Sequence, residues 1–318
     1  MRRPDVLEAA VLEHLAGSRL EAAAAGYGLT ASELSGAVER YTAAGRTALA
    51  TPPSPWRQID VEFTDLQDAE QTAREYLLPV LTAPRAETAV QPWWFMRKPP
   101  GWRVRVAPPA AADGDLLDEI IAGLERAARS GDVAAWRQVI YEEETTAFGG
   151  AVGTDLAHRL FHADSAGLAR ALLARRPAWS VPDRIVASLL LMSHLHRAAG
   201  LDVHERADVW AKVAACRDEQ PLDNALARRQ ENQARIVLTR DTNSLDPPAV
   251  GLDDTWMQDL ADAGAAMAQA ARAGRLERGP RAVLALHVIF HWNRMGIPAD
   301  LQAIWSRSAH TALLTELP

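Results

Sequence analysis

Three guanidiniums and three indoles fall in one stretch of the chain, Pro92-Trp-Trp-Phe-Met-Arg97-Lys-Pro-Pro-Gly101-Trp-Arg103-Val-Arg105-Val-Ala-Pro-Pro109. Arginine offers a planar fork of donors that stays charged when partly buried, so the cluster suits an anionic or amide-rich substrate. The alternative is that the indoles are core and the arginines a solvated face. Pro99-Pro100-Gly101 predicts a tight turn between two strands. On the second strand a period of two puts Trp102, Val104 and Val106 on one face and Arg103 and Arg105 on the other. Arg97 ends the aromatic run of the first strand.

Other reactive groups are scattered. Tyr141 opens the string Tyr-Glu-Glu-Glu144-Thr-Thr-Ala-Phe-Gly-Gly150. The glycines at 149, 150 and 153 stand between a strand and a helix, where a phosphate can be held. The spacing is neither G-x-G-x-x-G nor a P-loop, so a plain glycine-rich turn is expected. Leu160-Phe-His162-Ala-Asp164-Ser165 gathers three polar types, but consecutive spacing builds no triad, and Asp-Ser also caps helices. His194 and His196 fall on different helix faces. His287 and His291 share one, yet position 288 is Val and no third ligand is evident, so no metal site is expected. The hydrophobic helix Leu286–Gly296 thus carries His287, His291, Asn293 and Arg294 either as satisfied anchors or as acid–base groups aimed at the hairpin.

The elements that must position these groups follow from composition and periodicity. With 318 residues, 48% hydrophobic and 24% charged, the chain is globular material for about two domains. A net charge of −7 and a pI near 5.7 argue against nucleic-acid and anionic-membrane partners. The single cysteine, Cys216, excludes an internal disulfide. No apolar run reaches spanning length and the start lacks a signal-peptide core, so a cytoplasmic location is expected.

Residues 1–50 read as a helical segment, with Thr30 and Glu33 at capping-box spacing. Its helix-Gly-helix spacing resembles a DNA reader, but five arginines face six carboxylates, so a small cap or docking unit is expected instead. Thr51-Pro-Pro-Ser-Pro55 is a linker. Residues 56–150 predict β-α-β-β-α-β: a strand over 56–64, a helix over 66–81 with Leu66, Ala69, Ala73, Tyr76, Leu77 and Val80 on its buried stripe, the hairpin, a helix from Asp113 to about Arg129, and a strand over 135–142. That order is a ferredoxin-like sheet with helices on one face. Residues 151–318 predict a helical half that completes a cleft, with breaks near Pro177, Gly200–Asp202, Gln220–Pro221 and Asp246–Pro248. The fold class is α+β.

Taken in order, Trp-Trp-Phe-Met-Arg97 with Trp-Arg103-Val-Arg105-Val, Tyr141-Glu-x-Glu-x-x-x-Phe-Gly-Gly150, Leu-Phe-His-Ala-Asp-Ser165 and His-Trp-Asn293-Arg-x-Gly296 resemble the thiopeptide-type bacteriocin biosynthesis domain. That domain is the elimination module of class I lanthipeptide dehydratases and their stand-alone relatives, and the resemblance spans roughly residues 56–305. It implies one of two activities. One removes glutamate from a glutamylated Ser or Thr; the other, the thiopeptide pyridine synthase, joins two dehydroalanines by a formal [4+2] aza-cycloaddition and expels water and the leader peptide as its amide. The eliminase pattern has an Arg-x-Arg pair, an arginine before Tyr/Phe-Gly-Gly and a histidine about four residues before Asn-Arg. Arg103 and Arg105 match the pair, but the other positions hold Ala147 and Ile289, which favours the synthase.

The resemblance further implies no cofactor, and as partner a precursor peptide with a leader and an azole- and dehydroalanine-containing core, alongside other enzymes of the pathway. The expected catalytic groups are Tyr141, His287, His291 and Arg105. The expected substrate contacts are Trp94, Arg97, Trp102, Arg103, Glu144, Asp164, Ser165, Asn293 and Arg294. A homologue that only holds the leader is a further alternative.

Overall fold

The structure is a computed structural model and describes residues 4–50, 54–84, 91–107, 116–174, 179–218, 220–221 and 223–315. Within it the chain divides into two units, Met1–Ser54 and Pro55–Pro318. The first holds α1 (Pro4–Leu15), α2 (Leu20–Gly26) and α3 (Ala31–Ala50). Its core is made largely of short side chains, among them Ala10, Ala23, Ala24 and Ala37, closed by Val11, Leu29 and Leu34. The capping box forms: the Thr30 N–H donates to Glu33 Oε2 at 2.7 Å and the Glu33 N–H to Thr30 Oγ1 at 3.2 Å.

The second unit opens with β1 (Arg57–Phe63), α4 (Ala69–Tyr76), α5 (Leu78–Leu81), β2 (Trp93–Lys98), β3 (Gly101–Val106), α6 (Leu116–Ser130) and β4 (Val133–Ile140). The sheet runs β2-β3-β1-β4 with every pairing antiparallel, which is the ferredoxin-like βαββαβ arrangement. One face carries Ile59, Val61, Phe63, Trp93, Phe95, Trp102, Val104 and Val106. These share an apolar cluster with Leu77 and Leu78, and with Leu116, Ile120 and Leu124 on the stripe of α6. Gly101 is required where β3 passes β1, because a Cβ there would lie 1.7 Å from the Val61 carbonyl oxygen.

Three boundaries differ from expectation. The helix expected over 66–81 breaks at Leu77, because Pro79 has no N–H to donate back along the helix and sits in the first turn of α5. Leu66 precedes the helix and is 48% exposed, while Leu78 and Leu81 take buried positions instead. The last strand lies two residues earlier than expected: Ile140 pairs with Arg57, where β1 begins, so Tyr141 has no strand partner. Residues 113–115, Pro177 and the Thr51–Pro53 part of the linker lie outside the described residues.

From Gly150 on, the described residues are mainly helical: α7 (Gly150–Ala174), α8 (Val181–Ala198), α9 (Val203–Ala215), α10 (Asn224–Thr239), α11 (Asp254–Arg272), α12 (Pro280–Met295) and α13 (Ala299–Leu314). The breaks expected at Gly200–Asp202, Gln220–Pro221 and Asp246–Pro248 separate successive helices. The glycine-rich turn that starts α7 is a packing feature. A Cβ at Gly153 would meet the Phe148 carbonyl oxygen at 1.8 Å, and one at Gly150 would meet the Glu277 side chain at 2.3 Å.

Strand β2 would be an open edge, and α7 covers it. His162 Nδ1 donates to the Trp93 carbonyl at 2.9 Å, and the Phe95 N–H donates to Ser165 Oγ at 3.2 Å. Two polar side chains of the Leu160–Ser165 string thereby satisfy backbone groups that an edge strand leaves over. No helix among the described residues is long and apolar enough to cross a membrane.

Candidate active site

The sheet's other face carries Gln58 and Asp60 from β1 beside Arg105 and Arg103, because the register pairs Gln58 with Arg105 and Asp60 with Arg103. Arg105 is buried, 7% exposed. Its Nε donates to Gln58 Oε1 at 2.6 Å, and Gln58 Nε2 donates in turn to Asp60 Oδ1 at 2.7 Å. The guanidinium lies 4.0 Å from the Trp94 ring centroid and 4.6 Å from that of Tyr141. Burial pushes Arg105 down to about 10, with the Tyr141 phenol and the Glu144 and Asp60 carboxylates opposing the shift, so it remains a cation at neutral pH. Arg103 is more open and pairs with Asp60 at 3.8 Å.

Tyr141, just past the end of β4, turns its hydroxyl to His158 on α7, 3.0 Å from Nε2. Burial raises the phenol and lowers the imidazole. At neutral pH the pair is therefore a protonated phenol and a neutral imidazole, able to pass one proton between them. His158 also packs on Trp56, with ring centroids 4.6 Å apart. His158 is absent from the expected site. A lone histidine in a long helix carries no spacing signal, and its partner lies 17 residues away.

The structure separates the three hairpin arginines. The tight turn pairs Lys98 with Gly101 and hence Arg97 with Trp102, which puts Arg97 on the helix-covered face. There it bonds Glu70 on α4 at 2.9 Å and the Arg294 carbonyl at 2.7 Å, and lies 4.8 Å from the Trp102 centroid. Glu70 also holds Arg184 of α8, and these two cations bring its carboxyl below its usual value against the effect of burial. Trp102 stacks on Phe95 at 4.7 Å inside the core. The register puts both Arg97 and Trp102 on the sheet face opposite Arg103 and Arg105, so the expected cationic floor holds two arginines rather than three. Trp94 is 1% exposed and backs the Arg105 cation, so it offers no open surface to a substrate ring.

The His291 and Arg294 side chains of α12 converge on Asp164 of α7 and not on Arg103 and Arg105. Asp164 Oδ1 is 2.8 Å from His291 Nδ1 and accepts from Trp256 Nε1 at 3.1 Å, while Oδ2 accepts from Arg294 Nε at 2.7 Å. Burial alone would raise this carboxyl; His291 and Arg294 hold it well below the usual carboxylate range. Asn293 Oδ1 accepts from Gln302 Nε2 at 3.0 Å, tying α12 to α13. His287 packs on Phe148 and Phe161 at 5.1 and 5.5 Å. Asp164, Ser165, His287, His291 and Arg294 are all buried.

The buried histidines His287 on α12 and His196 on α8 predict acid sensitivity. Burial pushes His287 and His196 each down to about 3, against an ordinary value of 6.5. The unfolded chain binds those protons first, so the stability they contribute is complete above 6.5 and is lost as pH falls toward 3. The slope is up to about 1.4 kcal/mol per pH unit for each group. Urea titrations from about pH 7 to about pH 4 should show that slope, and His196→Phe should flatten it. An unchanged slope would mean that His196 is protonated in the fold.

Residues 56–313 match the family model described as the C-terminal region of the lantibiotic biosynthesis dehydratase. The chain belongs to that family. Its fold is shared with the tRNA-dependent lantibiotic dehydratase MibB from Microbispora sp. 107891, at 20% identity and a TM-score of 0.56, over 82% of this chain and 28% of that one. The chain thus spans little more than a quarter of the dehydratase's length. TsrL is similar at 12% identity and a TM-score of 0.53, over 83% of this chain and 99% of that one. TbtD, the pyridine synthase from thiomuracin biosynthesis, is similar at 14% identity and a TM-score of 0.52, over 82% and 98%. No curated protein sequence matches the chain.

Proposed function

We propose that the chain is a thiopeptide pyridine synthase that joins two dehydroalanines of a leader-bearing, azole-containing peptide by formal [4+2] aza-cycloaddition. One observation carries this reading. A buried arginine fork and a Tyr141–His158 proton pair stand together, while the two positions that complete the eliminase pattern are apolar. Ala147 packs, partly buried, against the apolar cluster that holds Phe148 and Phe161, and Ile289 is 8% exposed in the main core. Holding the two alkenes together supplies roughly 7–11 kcal/mol of the barrier. Arg105, with Arg103 beside it, donates to the amide oxygen as the iminol forms. Tyr141 and His158 move the protons needed for tautomerisation, loss of water and departure of the leader amide. In this reading Asp164, Ser165, His287, His291, Asn293 and Arg294 set the shape of the site from within the core and do not touch substrate.

The eliminase alternative has one observation in its favour. Arg278 Nη1 donates to the Ala147 carbonyl at 2.9 Å, which brings a guanidinium near the position that the pattern requires. Mass spectrometry of a bis-dehydroalanine peptide incubated with the protein tests the synthase reading. The expected product has lost water and the leader together. Its rate should fall as pH drops through a value below 6.5, the ordinary imidazole value that burial lowers for His158, because the neutral ring is the base. A rate that instead rises with acidity would remove His158 from that role. Intact peptide that still binds would identify a leader-holding homologue.

A further inference from the structure

His158, the imidazole of the Tyr141–His158 pair, lines a groove part-way along its α7 wall. A cavity of about 550 Å³ opens between α7 and α11, with Trp56, Pro92, His158, His162, Asp259 and Asp262 among its lining. A second of about 240 Å³ adjoins it and shares Leu156, Arg159 and Ala266. The groove exists because the facing helices present small residues: Ala163 on α7, and Ala263 and Ala266 on α11. From Asp259 to Gln269, α11 covers about 15 Å at 1.5 Å per residue, which is the reach of four to five residues of extended peptide. The lining offers both kinds of partner: Asp259 and Asp262 on α11 and Asp155 on α7 offer acceptors, and Arg159 on α7 and Arg275 after α11 offer donors. An extended peptide presents N–H and C=O groups in alternation and so matches both, while its side chains lie over alanines.

We propose that this groove is a channel for four to five extended residues of the peptide that reacts at Tyr141 and His158. The inference rests on the reading that the substrate is a peptide, and the groove's continuity with His158 is what assigns the occupant. Because the channel takes backbone and small side chains, it selects for an extended, unbranched stretch next to the reacting residues and against a helical one.

Two fluorescein-labelled bis-dehydroalanine peptides test it: a short one, and the same peptide extended by five residues, with the extension placed at each end in turn. One extension should tighten binding at least tenfold by anisotropy. Ala266→Phe, which puts a ring where the two cavities meet, should abolish that gain while leaving the melting midpoint unchanged. Ala265→Phe, on the exposed side of α11, should leave the gain intact. A gain that survives Ala266→Phe, or no gain from either extension, would overturn the channel. A groove-dependent gain without conversion of either peptide would support the channel and remove the cyclisation chemistry, so the two failures are distinct.

Discussion

Tyr141→Phe should lower turnover by a factor of about 10² to 10⁴, the usual contribution of a positioned acid–base group. The ring, its contact with Arg105 and its packing on Trp94 all persist in phenylalanine. Only the hydroxyl and its 3.0 Å bond to His158 are lost. That buried bond contributes about 1 kcal/mol to stability, so the melting midpoint should move by only a few degrees. His158→Gln should reproduce the loss of rate and also remove the acid limb of the pH–rate profile. A Tyr141→Phe protein with unchanged turnover would assign the hydroxyl to packing alone.

Asp164→Ala should have the opposite signature. Removing the carboxylate strands Arg294, which is 1% exposed and packs 5.0 Å from the Phe161 centroid. Breaking one side of such a buried pair costs about 3–5 kcal/mol, or roughly 6–20 °C in melting midpoint. The protein that remains folded should keep most of its turnover number, since Asp164, His291 and Arg294 are buried and none of them lines the groove. Replacing both partners, as in Asp164→Leu with Arg294→Met, should recover part of the lost stability, because no charge is then left uncompensated. Full stability with lost activity after Asp164→Ala would return Asp164 to the substrate-binding role expected from its motif.

The outcome for individual residues shows what sequence carries. Period-two alternation separated Trp102 and Val104 from Arg103 and Arg105 correctly, since a strand's faces depend only on local geometry. The same geometry applied across the turn puts Arg97 opposite Trp102, so proximity in sequence alone does not bring the three arginines together. The helix Leu286–Gly296 is largely apolar, the mark of a buried helix, and its His291 and Arg294 accordingly find their partner Asp164 inside the core, while both His287 nitrogens are buried without a hydrogen-bond partner among the described residues. Asp164 lies 127 residues from His291, so no spacing rule connects them. His158 was invisible for the same reason. Its role follows from β4 ending at Ile140, which frees Tyr141 to turn toward α7, and that end is decided by where β1 begins.

The most direct test places both candidate substrates in one vessel with the protein: a glutamylated peptide, and a leader-bearing peptide with two dehydroalanines. Mass spectrometry should show the second converted to a smaller, pyridine-containing macrocycle, with the leader released as its amide and the first unchanged. Release of free glutamate from the first, with the second returned intact, would contradict the account and assign the chain to glutamate elimination.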